Sequence, residues 1–136
     1  MLYRKVATAA LVAMTSVVLT SSAAHAVIAA AVPQSFQLGF ATPVVVAPAG
    51  GPVTFVNSDT IPHNFQADGV FLSKKKAKKT DWCNLFPSKE CPIFYSDAVG
   101  QGQTADVQGL ENTKSGQQYA FMCLLHPNMK GTLYIQ

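Results

Sequence analysis

An all-β sandwich or barrel is the fold class this sequence predicts, on three observations. Short apolar runs alternate with a period of two, and clusters of Gly, Pro, Asn and Ser separate them. No stretch beyond the N-terminal segment holds a helical period. Taken in order, the small apolar run over 27–32, ended by Pro33, reads as a flexible tail. Phe36, Leu38 and Phe40 alternate and predict a first strand. Val44, Val45 and Val46 form a short buried run that stops at the turn Pro48-Ala49-Gly50-Gly51-Pro52. Val53 to Val56 is the next strand, with Val53 and Phe55 on one face. The cluster Asn57-Ser58-Asp59-Thr60 then turns the chain, and Pro62 holds Ile61 extended. Residues 69–98 keep no period and read as a long loop insertion with one short helical turn. Gly100 to Gln103 is a turn, Ala105 to Leu110 a strand, and Lys114-Ser115-Gly116 the turn into the next strand. There Tyr119, Phe121 and Cys123 share the inward face. After a turn at His126-Pro127-Asn128, Leu133 and Ile135 alternate in a final strand.

The first 26 residues read as a secretory signal peptide. Arg4 and Lys5 form its charged start, an apolar run from Val6 to Leu19 follows, and Ala24-His25-Ala26 offers small residues for cleavage after Ala26. The apolar run is short and rich in Ala and Thr, which argues against a membrane span. The expected product is a periplasmic or secreted protein made of one small domain over 27–136. Losing Arg4 and Lys5 lowers the net charge from +3 to +1. A nearly neutral chain gives no reason to expect a nucleic-acid partner.

Three cysteines remain in an oxidising compartment. Cys83 and Cys91 lie in the same polar insertion, where a disulfide would tie the loop down, and Cys123 is then left odd. An unpaired thiol in an exported protein needs a reason, and a metal is one. Cys123, His126 and Met129 place a thiolate, an imidazole and a thioether in one short loop. Soft sulfur beside imidazole favours copper, and two His, one Cys and a weak axial Met form the blue-copper donor set. A second imidazole is required, and His63 is the one histidine left in 27–136. The main rival is a structural zinc site, which wants four Cys or His ligands and leaves Met129 unexplained. A Cys/His hydrolase would need an oxyanion loop and a third orienting group, and neither is evident.

The segments Asn57-Ser-Asp-Thr-Ile-Pro-His63-Asn64 and Tyr119-Ala-Phe-Met-Cys123-Leu-Leu-His126-Pro-Asn-Met129-Lys-Gly-Thr resemble the two ligand segments of the cupredoxins. The nearest are the amicyanin, plastocyanin and pseudoazurin group. The resemblance covers Val53 to Phe65 and Gln117 to Ile135 well, and the middle poorly. It implies a cupredoxin-like Greek-key β-sandwich holding one type 1 copper. His63, Cys123 and His126 would be the strong ligands, Met129 the weak axial one, and Asn64 the residue that ties the two ligand loops together. It further implies a monomeric electron carrier, not an enzyme, that works with redox protein partners through His126 and the apolar residues Leu124, Leu125 and Pro127. The alternative on the same ligands is a copper-storage or delivery protein. Two residues separate His126 from Met129, as in amicyanin, and Met122 stands where plastocyanin has a tyrosine of its acidic docking face. The insertion has no counterpart in the family. Its run Lys74-Lys75-Lys76-Ala77-Lys78-Lys79 either solubilises a loop or docks an acidic partner or an anionic membrane surface.

Overall fold

The computed structural model describes residues 27–32, 39–77 and 82–136. The signal segment 1–26, and Phe36, Leu38, Lys78 and Lys79 of the expectations above, lie outside the described residues.

The turn-punctuated alternation builds two four-stranded sheets packed as a sandwich. One sheet holds β1 (Val27–Val32), β2 (Gly39–Phe40), β4 (Val53–Asn57) and β8 (Thr104–Asp106), in the order β2-β1-β4-β8. The other holds β3 (Val44–Ala47), β5 (Gln66–Ala67), β9 (Gln118–Met122) and β10 (Lys130–Ile135), in the order β3-β10-β9-β5. No α-helix occurs among the described residues; two 3-10 turns, Trp82–Leu85 and Leu110–Asn112, complete the chain.

Four expectations are corrected here. The run Val27–Val32 is a strand and not a tail: it pairs in parallel with β4, Val27 opposite Val53 and Ala31 opposite Asn57. Its partner is distant in sequence, so nothing local announces the pairing. The Val44 to Val46 run is buried on one face only, with Val44 59% and Val45 3% exposed, because β3 is an edge strand with an open outer face. Residues 69–98 are not a structureless loop. They contain the hairpin β6 (Phe71–Ser73) with β7 (Glu90–Pro92), Leu72 opposite Cys91, and a 3-10 turn between the two strands. The expected strand over Ala105 to Leu110 is shorter, ending at Asp106, and Leu110 opens the second 3-10 turn.

The inward positions supply an aromatic core. Phe65 lies with its ring centroid 4.3 Å from Phe121, Phe40 4.9 Å from Phe121, and Phe94 5.7 Å from Phe65. The pairing of Phe121 with Gly131 explains that glycine. A Cβ there would sit 2.2 Å from the Phe121 ring and 2.5 Å from the Pro43 carbonyl. Strand β9 therefore lies between β10 and β5 with its buried ring fixed. One residue beyond its end, Cys123 points into the same core.

Candidate metal centre

Two segments converge at one end of the sandwich. The first leaves β4 at Asn57. Its buried side-chain amide donates to the carbonyls of Ile61 and Val99, each at 2.8 Å, and its Oδ1 accepts from the Asp59 N–H at 2.9 Å. One side chain thus closes the turn and clips it to the neighbouring chain. His63 is fixed on the same neighbour, its N–H donating to Val99 at 3.2 Å and its carbonyl accepting from Val99 at 2.9 Å. The second segment is the loop after β9. Three backbone bonds close it: His126 N–H to the Cys123 carbonyl, Met129 N–H to the His126 carbonyl, and Cys123 N–H to the Met129 carbonyl.

Asn64 joins the two. Its N–H donates to Cys123 Sγ at 3.4 Å, and its Oδ1 accepts from the Leu124 N–H at 2.7 Å. Its Nδ2 is occupied by Gln66 Oε1 at 3.1 Å. The tying role that the resemblance implied for Asn64 is present in these bonds.

The donor atoms meet between the segments. His63 Nδ1 and His126 Nδ1 each lie 3.7 Å from Cys123 Sγ, and 3.0 Å from each other. His63 and Cys123 are fully buried and His126 is half-buried. Cys123 is a free thiol, whereas Cys83 and Cys91 are bridged as parity predicted. Met129 is buried at the far end of the same loop. Of the residues expected at a metal, His63, Cys123 and His126 form one cluster of metal-binding donors.

Asp59 is the functional residue that sequence reasoning passed over as part of a turn. Its Oδ2 lies 2.9 Å from His63 Nε2. A carboxylate there takes the imidazole N–H on Nε2 and leaves the Nδ1 lone pair directed at the cluster. The hydrogen bond from His63 holds the Asp59 carboxyl below its ordinary range, against the opposing effect of burial. His126 is also shifted downward, first by burial and then by the charge of His63, with Asp59 opposing. At neutral pH this favours the unprotonated imidazole that a metal requires. The one available signal was the spacing, a carboxylate four residues before a histidine within a tight turn.

The lysine run is only partly free. Lys74 is half-buried and its Nζ donates to the Phe86 carbonyl, whereas Lys75 and Lys76 are exposed.

Residues 26–136 match the family model described as copper binding proteins, plastocyanin/azurin family. The chain belongs to that family. No curated protein sequence matches it. Among solved structures, a purple cupredoxin from Nitrosopumilus maritimus is similar at 18% identity with a TM-score of 0.54. The match covers 80% of this chain and 98% of that one. Amicyanin from Paracoccus versutus is similar at 19% identity, TM-score 0.50, over 83% of each chain. A reduced single-substitution variant of amicyanin gives 17%, 0.52 and 82% of each. These likenesses establish the cupredoxin β-sandwich.

The cofactor of this cupredoxin is one type 1 copper, and the two nitrogen–sulfur distances of the cluster suit it. A metal bonded at about 2.1 Å to nitrogen and about 2.3 Å to sulfur, at angles between tetrahedral and trigonal, separates N from S by roughly 3.6–3.8 Å. Both N–S distances here are 3.7 Å, whereas the 3.0 Å between the two Nδ1 atoms is shorter than the roughly 3.4–3.6 Å that the same bond lengths and angles give. One buried thiol with two imidazoles is also the donor chemistry that copper prefers over hard cations.

Proposed function

We propose that this cupredoxin is a small exported one-electron carrier. In it His63, Cys123 and His126 are the strong copper ligands and Met129 is the weak axial one. The observation that carries the reading is the convergence of one buried thiol and two Nδ1 atoms within 3.7 Å. The copper supplies the one-electron change between its +1 and +2 states. The chain supplies a cage that is held before the metal arrives: Asn57 fixes the His63 turn, Asn64 locks the two segments together, and Asp59 orients His63. A cage that does not rearrange keeps the cost of changing oxidation state small.

Electrons would enter and leave through His126, the one member of the cluster that is not fully buried. Leu124 and Leu125 are about half exposed beside it, Pro127 is exposed, and Ile61 adds an apolar edge from the other segment. This surface would bring a redox protein partner close to the imidazole without charge selection. Met129 as a fourth donor would leave no open coordination position for a substrate, which supports carriage of electrons over catalysis. Export rests on the charged-apolar-small pattern of residues 1–26 and agrees with a disulfide between Cys83 and Cys91.

Copper(II) should give an intense visible thiolate-to-copper absorption, and Cys123→Ser should abolish it while the fold survives. Colour that persists in Cys123→Ser, or a protein that takes only zinc, overturns the ligand assignment. Fast self-exchange and a reversible potential separate a carrier from a storage or delivery protein that uses the same ligands.

A further inference from the structure

The hairpin arm, which the family resemblance did not cover, differs from the sandwich in charge and in surface. Residues 71–92 carry six lysines against Asp81 and Glu90, a net of +4. The rest of 27–136 carries five acidic residues against Lys114 and Lys130, a net of −3. A chain whose overall charge is near zero therefore gathers its lysines in one segment.

The described part of the arm is held rigid. Leu72, Phe86 and Tyr95 pack against buried Trp82 and the Cys83–Cys91 disulfide, with the Phe86 ring 5.1 Å from Tyr95 and 6.4 Å from Trp82. Lys74 is fastened to the Phe86 carbonyl, and its N–H donates to the Lys89 carbonyl at 3.0 Å. Because Leu72 faces this small core, its neighbour Phe71 faces out. The two most exposed large hydrophobic side chains among the described residues are both on the arm: Leu85 at 66% and Phe71 at 60%. Lys75, Lys76 and Lys89 are exposed on the same arm.

The arm also sits away from the metal corner. Trp82 packs on Gly109, where a Cβ would be 2.5 Å from the indole ring and where φ is +89. Gly109 follows the end of β8. The start of that strand, Thr104, lies opposite Val56 and next to the Gln103 carbonyl that takes the Asn57 N–H at the metal end.

We propose that the arm is a membrane-contact surface for anionic phospholipid headgroups. Lys75, Lys76 and Lys89 meet the phosphates, Phe71 and Leu85 enter the interface, and the metal corner faces the aqueous side. Exposed apolar side chains set among lysines on a rigid support are the chemistry of an interfacial anchor. A wholly electrostatic partner, such as an acidic polypeptide, gives no use to Phe71 and Leu85. The proposal is independent of the metal assignment. It predicts a tethered carrier whose His126 edge stays open to a soluble partner.

The test is co-sedimentation of the copper-loaded protein with vesicles of mixed phosphatidylglycerol and phosphatidylcholine, and with phosphatidylcholine alone. The expected result is binding to the mixed vesicles only, released as salt screens the lysines. Replacing Lys75, Lys76 and Lys89 with Gln should weaken it on the order of a hundredfold, from about fivefold per lysine. Phe71→Ser and Leu85→Ser should each weaken it further, with the visible absorption unchanged in every variant. Equal sedimentation of wild type and the lysine variant overturns the proposal. So does indifference to lipid charge, or binding to polyglutamate with no binding to vesicles.

Discussion

The metal corner and the disulfide arm solve the same problem, holding a short irregular segment still, by opposite means. The corner uses buried polar atoms. Asn57, Asn64 and Asp59 make specific hydrogen bonds to the backbone and to His63 within a fully buried space. The arm uses a covalent bridge and a few rings, and keeps its charges outside. Hydrogen bonds fix direction as well as position, which a ligand cage needs. A disulfide with apolar packing fixes position alone, which suffices for presenting a surface. Breaking each region should therefore give different losses: copper function together with stability in the corner, stability without copper function in the arm.

The largest stability effect should come from Asn57→Ala. The variant removes three hydrogen bonds, leaving the Ile61 carbonyl without this donor and the Val99 carbonyl with the His63 N–H alone, at a cost of about 2–4 kcal/mol. Chemical denaturation of the metal-free variant measures it, and the copper absorption should also weaken as His63 loses its fixed turn. Stability within a few tenths of a kcal/mol of wild type would mean that the turn holds itself.

Replacing Cys83 and Cys91 together with Ala tests the other side. Opening a bridge with a sequence separation of 8 should cost about 2.5 kcal/mol. The copper absorption and the potential should stay as in wild type. A changed spectrum in this variant would show that the arm and the corner are coupled, and would break the contrast between them.

How much of each region could be read in the sequence follows from the same difference. The corner was legible because chemistry marks it: one odd cysteine, two histidines and a methionine in turns of a β chain leave few assignments. Asp59 was not, because a carboxylate in a turn is ordinary until the register of Asn57, Ile61 and Val99 brings it to His63 Nε2. In the arm the disulfide was legible from parity, and so was one short helical turn. Its strands are three residues each, too short to display a period, and they pair across a gap that sequence spacing does not reveal. The strand Val27–Val32 was missed for a related reason. A run of Ala and Val carries no alternation, and its partner β4 is joined to it in parallel. The faces of β4 and β9 were legible because large rings alternate with smaller residues there.

Met129→Leu is expected to keep copper bound and to raise the reduction potential, because loss of a weak donor disfavours copper(II) more than copper(I). Leu keeps the buried volume close to that of Met, so stability should change by less than about 1.5 kcal/mol. Voltammetry and the visible spectrum check it together. Complete loss of copper would make Met129 a primary ligand, and an unchanged potential and spectrum would remove it from the site.

The smallest and most specific effect is expected from Asp59→Asn. The asparagine carbonyl can still accept the N–H of His63 Nε2, with its amide turned to the Thr60 N–H that Asp59 Oδ1 accepts, so the imidazole keeps its orientation and its Nδ1 lone pair while the Thr60 bond is lost. The formal charge beside the ring is lost, because Asp59, held below the ordinary carboxylate range, is ionised at neutral pH. An imidazole bonded to a carboxylate is the better donor to a positive metal, and the higher oxidation state gains more from it. Copper affinity and colour should therefore survive while the potential rises by an amount on the order of tens of millivolts, where 59 mV is a tenfold change in a one-electron equilibrium. Asp59→Leu, which removes both the acceptor and the charge, should weaken copper binding as well. If Asp59→Asn and wild type share one potential, the carboxylate acts only as an orienting acceptor. If Asp59→Leu also binds copper as tightly as wild type, the turn clipped by Asn57 is enough to aim His63. The corner would then depend on backbone anchoring more than on its buried charge.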